Sequence, residues 1–203
     1  MRKIVAGLFI SLDGVVASPE NWGFTYMNEE VGNWISKGIA EADAVLLGPS
    51  TYHKFATIWP SQGDTVPMAK FLNQSPKYVI SHKPDTVGDL TWQDTTLLKG
   101  TLSEEIAKLK VLPGKNIQVP GSPKLVRSLL REGLLDELNL GICPVVLGQG
   151  LHLFDDLTEQ VNLEIVRSKI FDNGLISVTY QPKATAKQTS NQHLDFPDAA
   201  VRG

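Results

Sequence analysis

Short apolar runs alternate with amphipathic stretches through the first two thirds of the chain. Four runs rich in Val, Ile and Leu, bounded by Gly, Pro or Ser, lie at residues 4–10, 44–48, 77–81 and 117–120. Such runs are typical of strands buried on both faces of a parallel sheet. Between them, apolar residues at helical spacing predict helices over residues 28–41, 101–111 and 122–131. This alternation predicts an α/β sheet with helices packed on its faces.

Local capping patterns mark the ends of these helices. Asn28 is a suitable N-cap for the first, and Thr101 with Glu104 forms a capping-box pattern for the second. Gly133 follows the third helix and predicts its C-terminal end. The helix boundaries therefore rest on capping as well as on periodicity.

The last third of the chain has a different pattern. Residues 137–147, 163–171 and 175–181 resemble strands, and the sequence Asp172-Asn173-Gly174 predicts a hairpin turn between the last two. We therefore predict one α/β domain over residues 1–182, with a mixed, mostly parallel sheet, flanking helices and late antiparallel strands. Residues 183–203 are polar and have no hydrophobic period. This composition predicts a tail that is either disordered or docked on another surface.

Composition excludes several classes of protein. The 203 residues carry 19 Lys and Arg against 22 Asp and Glu, a net charge of −3 without long runs of either sign. This balance argues against nucleic acid as a partner. No run approaches the roughly 20 apolar residues of a membrane-spanning helix. The single cysteine, Cys143, rules out an internal disulfide and favours a reducing compartment. We therefore expect a cytoplasmic protein without a membrane partner.

Small and polar residues follow four of the predicted strands. Residues 11–14, 48–51, 81–82 and 120–123 read SLDG, GPST, SH and PGSP. Because ligands bind at the carboxyl ends of parallel strands, and helix N-termini there offer N–H groups to phosphate, residues 48–51 and 121–122 are candidate phosphate sites. The sequence contains no dinucleotide fingerprint, phosphate loop or nucleophile elbow. Its four histidines lack ligand spacing, so we predict no metal site.

Taken in order, these segments resemble the dihydrofolate reductase-like family that includes the C-terminal reductase domain of the bifunctional riboflavin-biosynthesis deaminase/reductase. The matching pieces, between about Arg2 and Pro182, include SLDGVVA (residues 11–17), ADAVLLGPSTYHKF (42–55), PKYVIS (76–81), GSPKLVRSLLREGLLDEL (121–138) and PVVLGQG (144–150). The resemblance is to single-domain members, because the deaminase zinc signature is absent from the sequence. It implies a mostly parallel mixed sheet, and hydride transfer from NADPH to a heterocyclic or ribityl-type substrate.

The resemblance also implies where cofactor and substrate bind. It places the cofactor's phosphates at two helix starts, its 2′-phosphate beside the third strand, and the nicotinamide along the first strand. The implied cofactor-binding residues are Ala6, Leu12, Gly14, Val15, Gly48, Pro49, Ser50, Thr51, Ser81, His82, Gly121, Ser122 and Leu125. Trp22, Glu29 and Glu30 are expected to face the substrate, and Asp13 is the candidate catalytic residue.

Two positions depart from the family pattern. Pro49 stands where the family often has arginine, and His82 stands where an arginine often follows the serine of the third strand. Proline offers neither charge nor N–H, and a neutral histidine is a weaker phosphate partner than arginine. NADPH is therefore the expected cofactor, with NADH left open.

Several candidate residues also have simpler explanations. Asp13 is equally suited to capping a turn, and Glu29 and Glu30 are favourably placed against a helix dipole whether or not they bind substrate. Trp22 is suited to packing as well as to stacking on a flat ring. We expect an NAD(P)H-dependent reductase, assembled as a homodimer, that acts on a pteridine or ribosylaminopyrimidine-type heterocycle. The alternatives are a catalytically weak or silent ligand-binding protein on the same fold and a partner-binding module.

Overall fold

A computed structural model describes residues 1–63 and 65–183 of the chain. Its strands are β1 (Ile4–Ser11), β2 (Ala42–Leu47), β3 (Lys77–Ile80), β4 (Thr95–Leu98), β5 (Asn116–Val119), β6 (Glu137–Cys143), β7 (Leu163–Ile170) and β8 (Ile176–Pro182). Its α-helices are α1 (Glu29–Ala40), α2 (Pro49–Ile58), α3 (Pro67–Gln74), α4 (Leu102–Val111) and α5 (Pro123–Arg131).

The eight strands form one sheet in the order β4-β3-β2-β5-β1-β6-β8-β7. The first six strands in this order pair in parallel with their neighbours. The remaining strand pairs are antiparallel, because β8 runs opposite to both β6 and β7. The predicted fold class, an α/β domain with a mostly parallel mixed sheet and a late antiparallel hairpin, is confirmed. Parallel pairing also brings the carboxyl ends of β1, β2, β3 and β5 to one edge of the sheet.

The predicted ends of several elements are confirmed. Asn28 caps α1 by accepting from Val31 N at 2.9 Å, and Thr101 with Glu104 forms the complete capping box of α4. Gly133 follows α5 with φ 65°. In the hairpin between β7 and β8, Gly174 has φ 84° and donates to Phe171 O at 2.9 Å.

Other predictions need correction. The strand expected over residues 137–147 ends at Cys143, because Pro144 has no N–H to continue a ladder. Helices α2 and α3 and strand β4 were not predicted from the pattern. The described residues of α2 include one fully buried side chain, Tyr52, and β4 is a short strand at the edge of the sheet, so neither has a clear apolar period.

The helices cover both faces of the sheet. On one face, α4 and α5 pack on β1, β2, β5 and β6 through a cluster that includes Ile4, Ile106, Ile117 and Leu129. On the other face, α2 and α3 pack on β2 and β3, and α1 packs near β6 and the hairpin. The helices that follow β1 and β5 therefore lie on opposite faces of the sheet.

This arrangement opens a crevice at the carboxyl edge. β1 and β5 pair as far as Ala6 and Val119, whereas β1 continues beside β6 as far as Ser11 and Cys143. Beyond Val119 the chain leaves the sheet toward α5, so β1 has no β5 partner there. In open α/β sheets such a topological switch point is where ligands bind.

The predicted tail lies mostly outside the described residues, which end at residue 183. Lys183 N donates to Asn162 O at 2.8 Å, so the main chain is still held at that point. Among residues 1–63 and 65–183, no helix has both the length and the apolar character needed to cross a membrane.

Candidate functional site

The N-termini of α2 and α5 lie side by side at the crevice. Gly48 is the N-cap of α2 and Ser122 is the N-cap of α5. A Cβ atom placed on Gly48 would overlap Ser122 Oγ, and one placed on Gly121 would lie 3.4 Å from Thr51 Cγ2. The structure therefore brings together the two predicted phosphate-binding segments, which are far apart in the sequence.

Both helix N-termini leave backbone donors available. Neither N-cap makes a side-chain capping hydrogen bond, and the first residue of each helix is a proline, which has no N–H. The N–H groups of Tyr52 and Val126 donate to Gly48 O and Ser122 O, so the N–H groups of residues 50–51 and 124–125 precede the first helical bonds. Two such sets of donors, with two positive helix ends, form a suitable cradle for a diphosphate.

Ser122 has an unusual backbone conformation. Its φ is 68° and its ψ is 76°, in the left-handed region that favours glycine. This conformation costs a non-glycine residue about 1 kcal/mol or more. It turns the chain from β5 into α5 within the cradle, so the strained residue lies where a ligand would bind.

Two loops beside the cradle are joined by the Asp13 carboxylate. The β1 loop (residues 12–17) follows β1, and the β6 loop (residues 144–156) follows β6. The Asp13 carboxylate accepts from Gly148 N at 2.7 Å, from Leu147 N at 3.2 Å and from Ser11 Oγ at 2.6 Å. Ser11 Oγ in turn accepts from Val15 N at 2.8 Å. Asp13 thus connects the two loops across the end of the sheet.

These hydrogen bonds also determine the ionisation of Asp13. The Ser11 hydroxyl and the Gly148 N–H lower the pKa of the Asp13 carboxyl to about 2. A carboxyl with this pKa is ionised at neutral pH and has no proton to donate there. The geometry therefore favours the simpler explanation of Asp13, as a residue that holds turns together.

The other residues expected near the nicotinamide have different exposures. Leu12 is 67% exposed at the crevice edge, whereas Val15 is buried beneath the β6 loop and forms a bridge with His152. Gly14 has φ 91°, as the turn of the β1 loop requires. Ala6 lies inside β1 with its side chain in the core cluster. Its place beside a nicotinamide stays a prediction.

The remaining predicted cofactor residues lie around the cradle. Ser81 and His82 follow β3 at the same edge of the sheet, and Ser81 Oγ accepts from Lys83 N at 3.0 Å. Leu125 has a buried side chain in the core, and its main chain belongs to the first turn of α5. Pro49 begins α2.

The predicted substrate residues lie on the side of α1. Glu29 and Glu30 line an open cavity of about 420 Å³ together with Asn28, Asn33 and Asp172. Glu30 also pairs with Lys169 Nζ of β7 at 2.6 Å.

Trp22 is half-buried against the small core cluster next to α1. Its Nε1 donates to Ala17 O at 2.9 Å, so this indole N–H already has a partner. The ring packs against this cluster, and its contact with a substrate stays a prediction. Cys143 lies in the same cluster, and burial raises the pKa of its thiol to about 11, which makes it an inert core residue.

Several contacts in this arrangement were not predicted from the sequence. Ser11, Leu147 and Gly148 bind Asp13, but Gly148 is 135 positions away in the chain. Arg127 of α5 is buried and contacts the β6 loop, although an arginine in a helix ordinarily predicts an exposed side chain. The helical period of α5 is the one local signal for this residue, because it places position 127 on the side of the helix that faces the loop.

Comparisons with known proteins agree with this fold. The RibD C-terminal domain family model matches residues 2–177. Two Bacillus subtilis proteins are similar in sequence. The uncharacterized protein YyaP is 28% identical over 185 residues, covering 88% of this chain and 94% of its own length. The uncharacterized protein YwjB is 31% identical over 176 residues, covering 84% and 92%.

Solved structures share the fold. A Shewanella sp. PV-4 protein assigned to riboflavin biosynthesis has a TM-score of 0.70 at 22% identity, covering 90% of this chain and 99% of its own. Dihydrofolate reductase from Enterococcus faecalis, solved with NADP(H), has a TM-score of 0.59 at 14% identity, covering 90% and 97%. The family match over almost all described residues shows that the chain belongs to the RibD C-terminal domain family, and the solved structures show that it has a dihydrofolate reductase-like fold.

Proposed function

We propose that this protein is an NAD(P)H-dependent reductase that transfers a hydride to a small heterocycle of the pteridine or ribosylaminopyrimidine type, as in riboflavin biosynthesis. The observation that carries the proposal is the pair of helix N-termini at the crevice, where Gly48 and Ser122 are in close approach. Membership of a reductase family and the NADP(H) held by the E. faecalis enzyme support it.

The residues present fit a nicotinamide dinucleotide. The N–H groups of residues 50–51 and 124–125 would bind the diphosphate, and the lack of a side chain on Gly48 leaves room for Ser122 beside it. Ser81 and His82 would lie toward the adenosine end, and exposed Leu12 would contact the nicotinamide end. When bound, such a cofactor supplies the hydride, so the protein contributes binding and orientation rather than a nucleophile.

In this proposal Asp13 is a residue that positions loops. Its carboxylate accepts from Ser11 and from the β6 loop, and its pKa of about 2 keeps it ionised. Glu29, Glu30 and Asn28 would contact the substrate from the cavity beside α1. Carboxylate and amide oxygens accept hydrogen bonds from the amino and ring N–H groups that pteridines and aminopyrimidines carry.

Direct titration tests the proposal. NADPH and NADH are added to the purified protein while cofactor fluorescence and the Tm are followed. Micromolar binding of either nucleotide with a raised Tm is expected. Oxidation of the bound cofactor by a panel of oxidised pteridines and ribosylaminopyrimidines then identifies the substrate. No binding of either nucleotide at millimolar concentration would overturn the proposal.

A second candidate function is a catalytically weak or silent ligand-binding protein on the same fold. Pro49 at the start of α2 and exposed His82 after β3 favour this candidate, because both weaken the charge available to the cofactor's phosphate groups. This candidate predicts that nucleotide binds but is not oxidised by any of the panel.

We also propose that the reductase is a cytoplasmic homodimer. The edge strand β7 supports this proposal, because Ile165 is 61% exposed and Ile170 is 75% exposed on it. The buried free thiol of Cys143 is compatible with a reducing compartment. Sedimentation equilibrium at micromolar concentration tests the dimer, and Ile165→Lys with Ile170→Lys is expected to give monomers.

A further inference from the structure

The β6 loop is held at two separate points. At its beginning, Leu147 N and Gly148 N donate to the Asp13 carboxylate. Farther along, the guanidinium of Arg127 donates from Nη1 to His152 O at 3.1 Å and to Leu153 O at 3.5 Å. Its Nη2 also lies 3.5 Å from Asp156 Oδ2. The two anchors come from different parts of the fold, since Asp13 follows β1 and Arg127 belongs to α5.

Arg127 is an unusual anchor because it is almost completely buried. It is 3% exposed, whereas the carboxylate of Asp156 is 81% exposed and offers little compensation at 3.5 Å. A buried guanidinium is costly unless its donors are used. Its contacts to two consecutive carbonyl groups therefore fix the path of the main chain at residues 152–153.

The main chain of the β6 loop is also paired with the β1 loop. Leu12 N donates to Val145 O at 2.8 Å, Val16 N donates to Leu151 O at 2.9 Å, and Leu153 N donates to Gly14 O at 2.9 Å. Leu12 is 67% exposed and Val146, next to its partner, is 66% exposed. The two loops thus form one unit that carries an apolar rim at the carboxyl edge of the sheet.

α5 connects this unit to the diphosphate cradle. The N-terminus of α5 forms half of the cradle, and Arg127 lies one turn farther along the same helix. We propose that Arg127 and Asp13 are positioning residues that hold the β6 loop against the nicotinamide half of the cofactor. They would thereby keep the loop correctly placed relative to the cradle that binds the diphosphate. This inference rests on the proposed function, and it assigns the two halves of the cofactor to separately anchored parts of the site.

The test compares NADPH with 2′-phospho-ADP-ribose, which is the same molecule without its nicotinamide. We expect Arg127→Met to weaken NADPH binding about ten-fold, which corresponds to about 1.4 kcal/mol, and to remove the change in nicotinamide fluorescence on binding. Affinity for the fragment should stay within about two-fold of wild type, because the cradle is untouched. Arg127→Lys, which keeps one donor, should recover part of the NADPH affinity.

Asp13→Asn provides a second variant that does not depend on removing a buried charge. It should also weaken NADPH selectively, and the combination with Arg127→Met should have less than the sum of the two effects, because both act through one loop. Arg131→Met is the matched control. Arg131 is an exposed arginine of the same helix that contacts the last residue of the β6 loop, at Asp156 O, so its replacement leaves the contacts at residues 152–153 and the Asp13 anchor in place.

The outcomes distinguish a failure of the proposed cofactor binding from a failure of the positioning role of Arg127 and Asp13. If wild-type protein binds neither NADPH nor the fragment, the proposed function fails and the inference falls with it. If wild-type protein binds both, but Arg127→Met and Asp13→Asn weaken both equally or neither at all, the cofactor proposal stands and the positioning role is overturned.

Discussion

Gly48 and Ser122 meet across the ends of β2 and β5 so closely that a Cβ atom on Gly48 would overlap Ser122 Oγ and lie 3.3 Å from Ser122 Cβ. Gly48→Ala therefore requires Ser122 Oγ to rotate away, and we expect it to lower the free energy of unfolding by about 1 kcal/mol, at the low end of what overpacking costs, and to weaken NADPH binding by separating the two helix N-termini. Urea unfolding and nucleotide titration measure the two effects.

Two further variants test whether contact with the Ser122 side chain causes the losses of stability and affinity in Gly48→Ala. Gly48→Ala combined with Ser122→Gly removes the clashing oxygen and also suits the left-handed backbone at position 122, so it should recover both properties. Gly38→Ala, in α1, meets nothing within 4 Å and should raise the free energy of unfolding by about 0.5–1 kcal/mol. A Gly48→Ala protein with unchanged stability and affinity would contradict the close approach.

Pro49→Arg is expected to tighten NADPH binding. The substitution adds a cationic side chain and an N–H group at the first position of α2, beside the cradle. A new charge-assisted hydrogen bond of about 1.5–3 kcal/mol corresponds to a gain of ten-fold or more in affinity. Pro49→Ala is the control, since it restores the N–H without the charge. Equal affinities for the two variants would show that residue 49 lies away from the phosphates.

The stability of the loop unit should depend on pH through Asp13. The pKa of Asp13 is about 2 in the folded protein, below the ordinary value of 3.8. A carboxyl with a depressed folded-state pKa contributes stability above its unfolded-state pKa and loses that contribution as the pH falls through its folded-state pKa. The difference in free energy of unfolding between wild type and Asp13→Asn should therefore be constant above about pH 5 and shrink between about pH 4 and pH 2. A constant difference down to pH 2 would argue against a stabilising role for the ionised Asp13 carboxylate.

Lys77 is expected to be important for stability although it lies away from the crevice. Its ammonium group is fully buried, donates to Leu72 O at 2.9 Å and to Ser75 O at 2.7 Å, and lies 4.7 Å from the centre of the Trp92 ring. Burial lowers the pKa of Lys77, but these carbonyl groups at the end of α3 still need a donor. Lys77→Met should lower the free energy of unfolding by about 2–4 kcal/mol, since two buried acceptors lose their partner. The same change at exposed Lys37 should have little effect.

The elements with strong local patterns were predictable from the sequence. β1 and α5 were predicted because each has a regular apolar pattern, and the ends of α1 and α4 were predicted because capping depends on residues three positions apart. α2 lacks that pattern. It buries Tyr52 but leaves most of its surface accessible beside the crevice, so its stability depends on tertiary contacts that the periodicity does not report.

The site was predictable where it depends on the ends of strands. The placement of Gly48, Ser122 and Ser81 at one edge follows from parallel pairing alone. The role of Asp13 was not predictable, because whether its carboxylate donates a proton or accepts hydrogen bonds depends on Gly148, which only the fold brings near.

The distance in sequence between Asp13 and Gly148 has a consequence for how the protein is made. Both proposed phosphate-binding segments precede residue 126, so the ribosome completes them before it synthesises β6. The β6 loop takes its place only when β6 pairs with β1, a contact between distant parts of the chain that forms slowly during folding. Under the proposed function, the segments that bind the diphosphate are therefore synthesised before the loop that positions the nicotinamide.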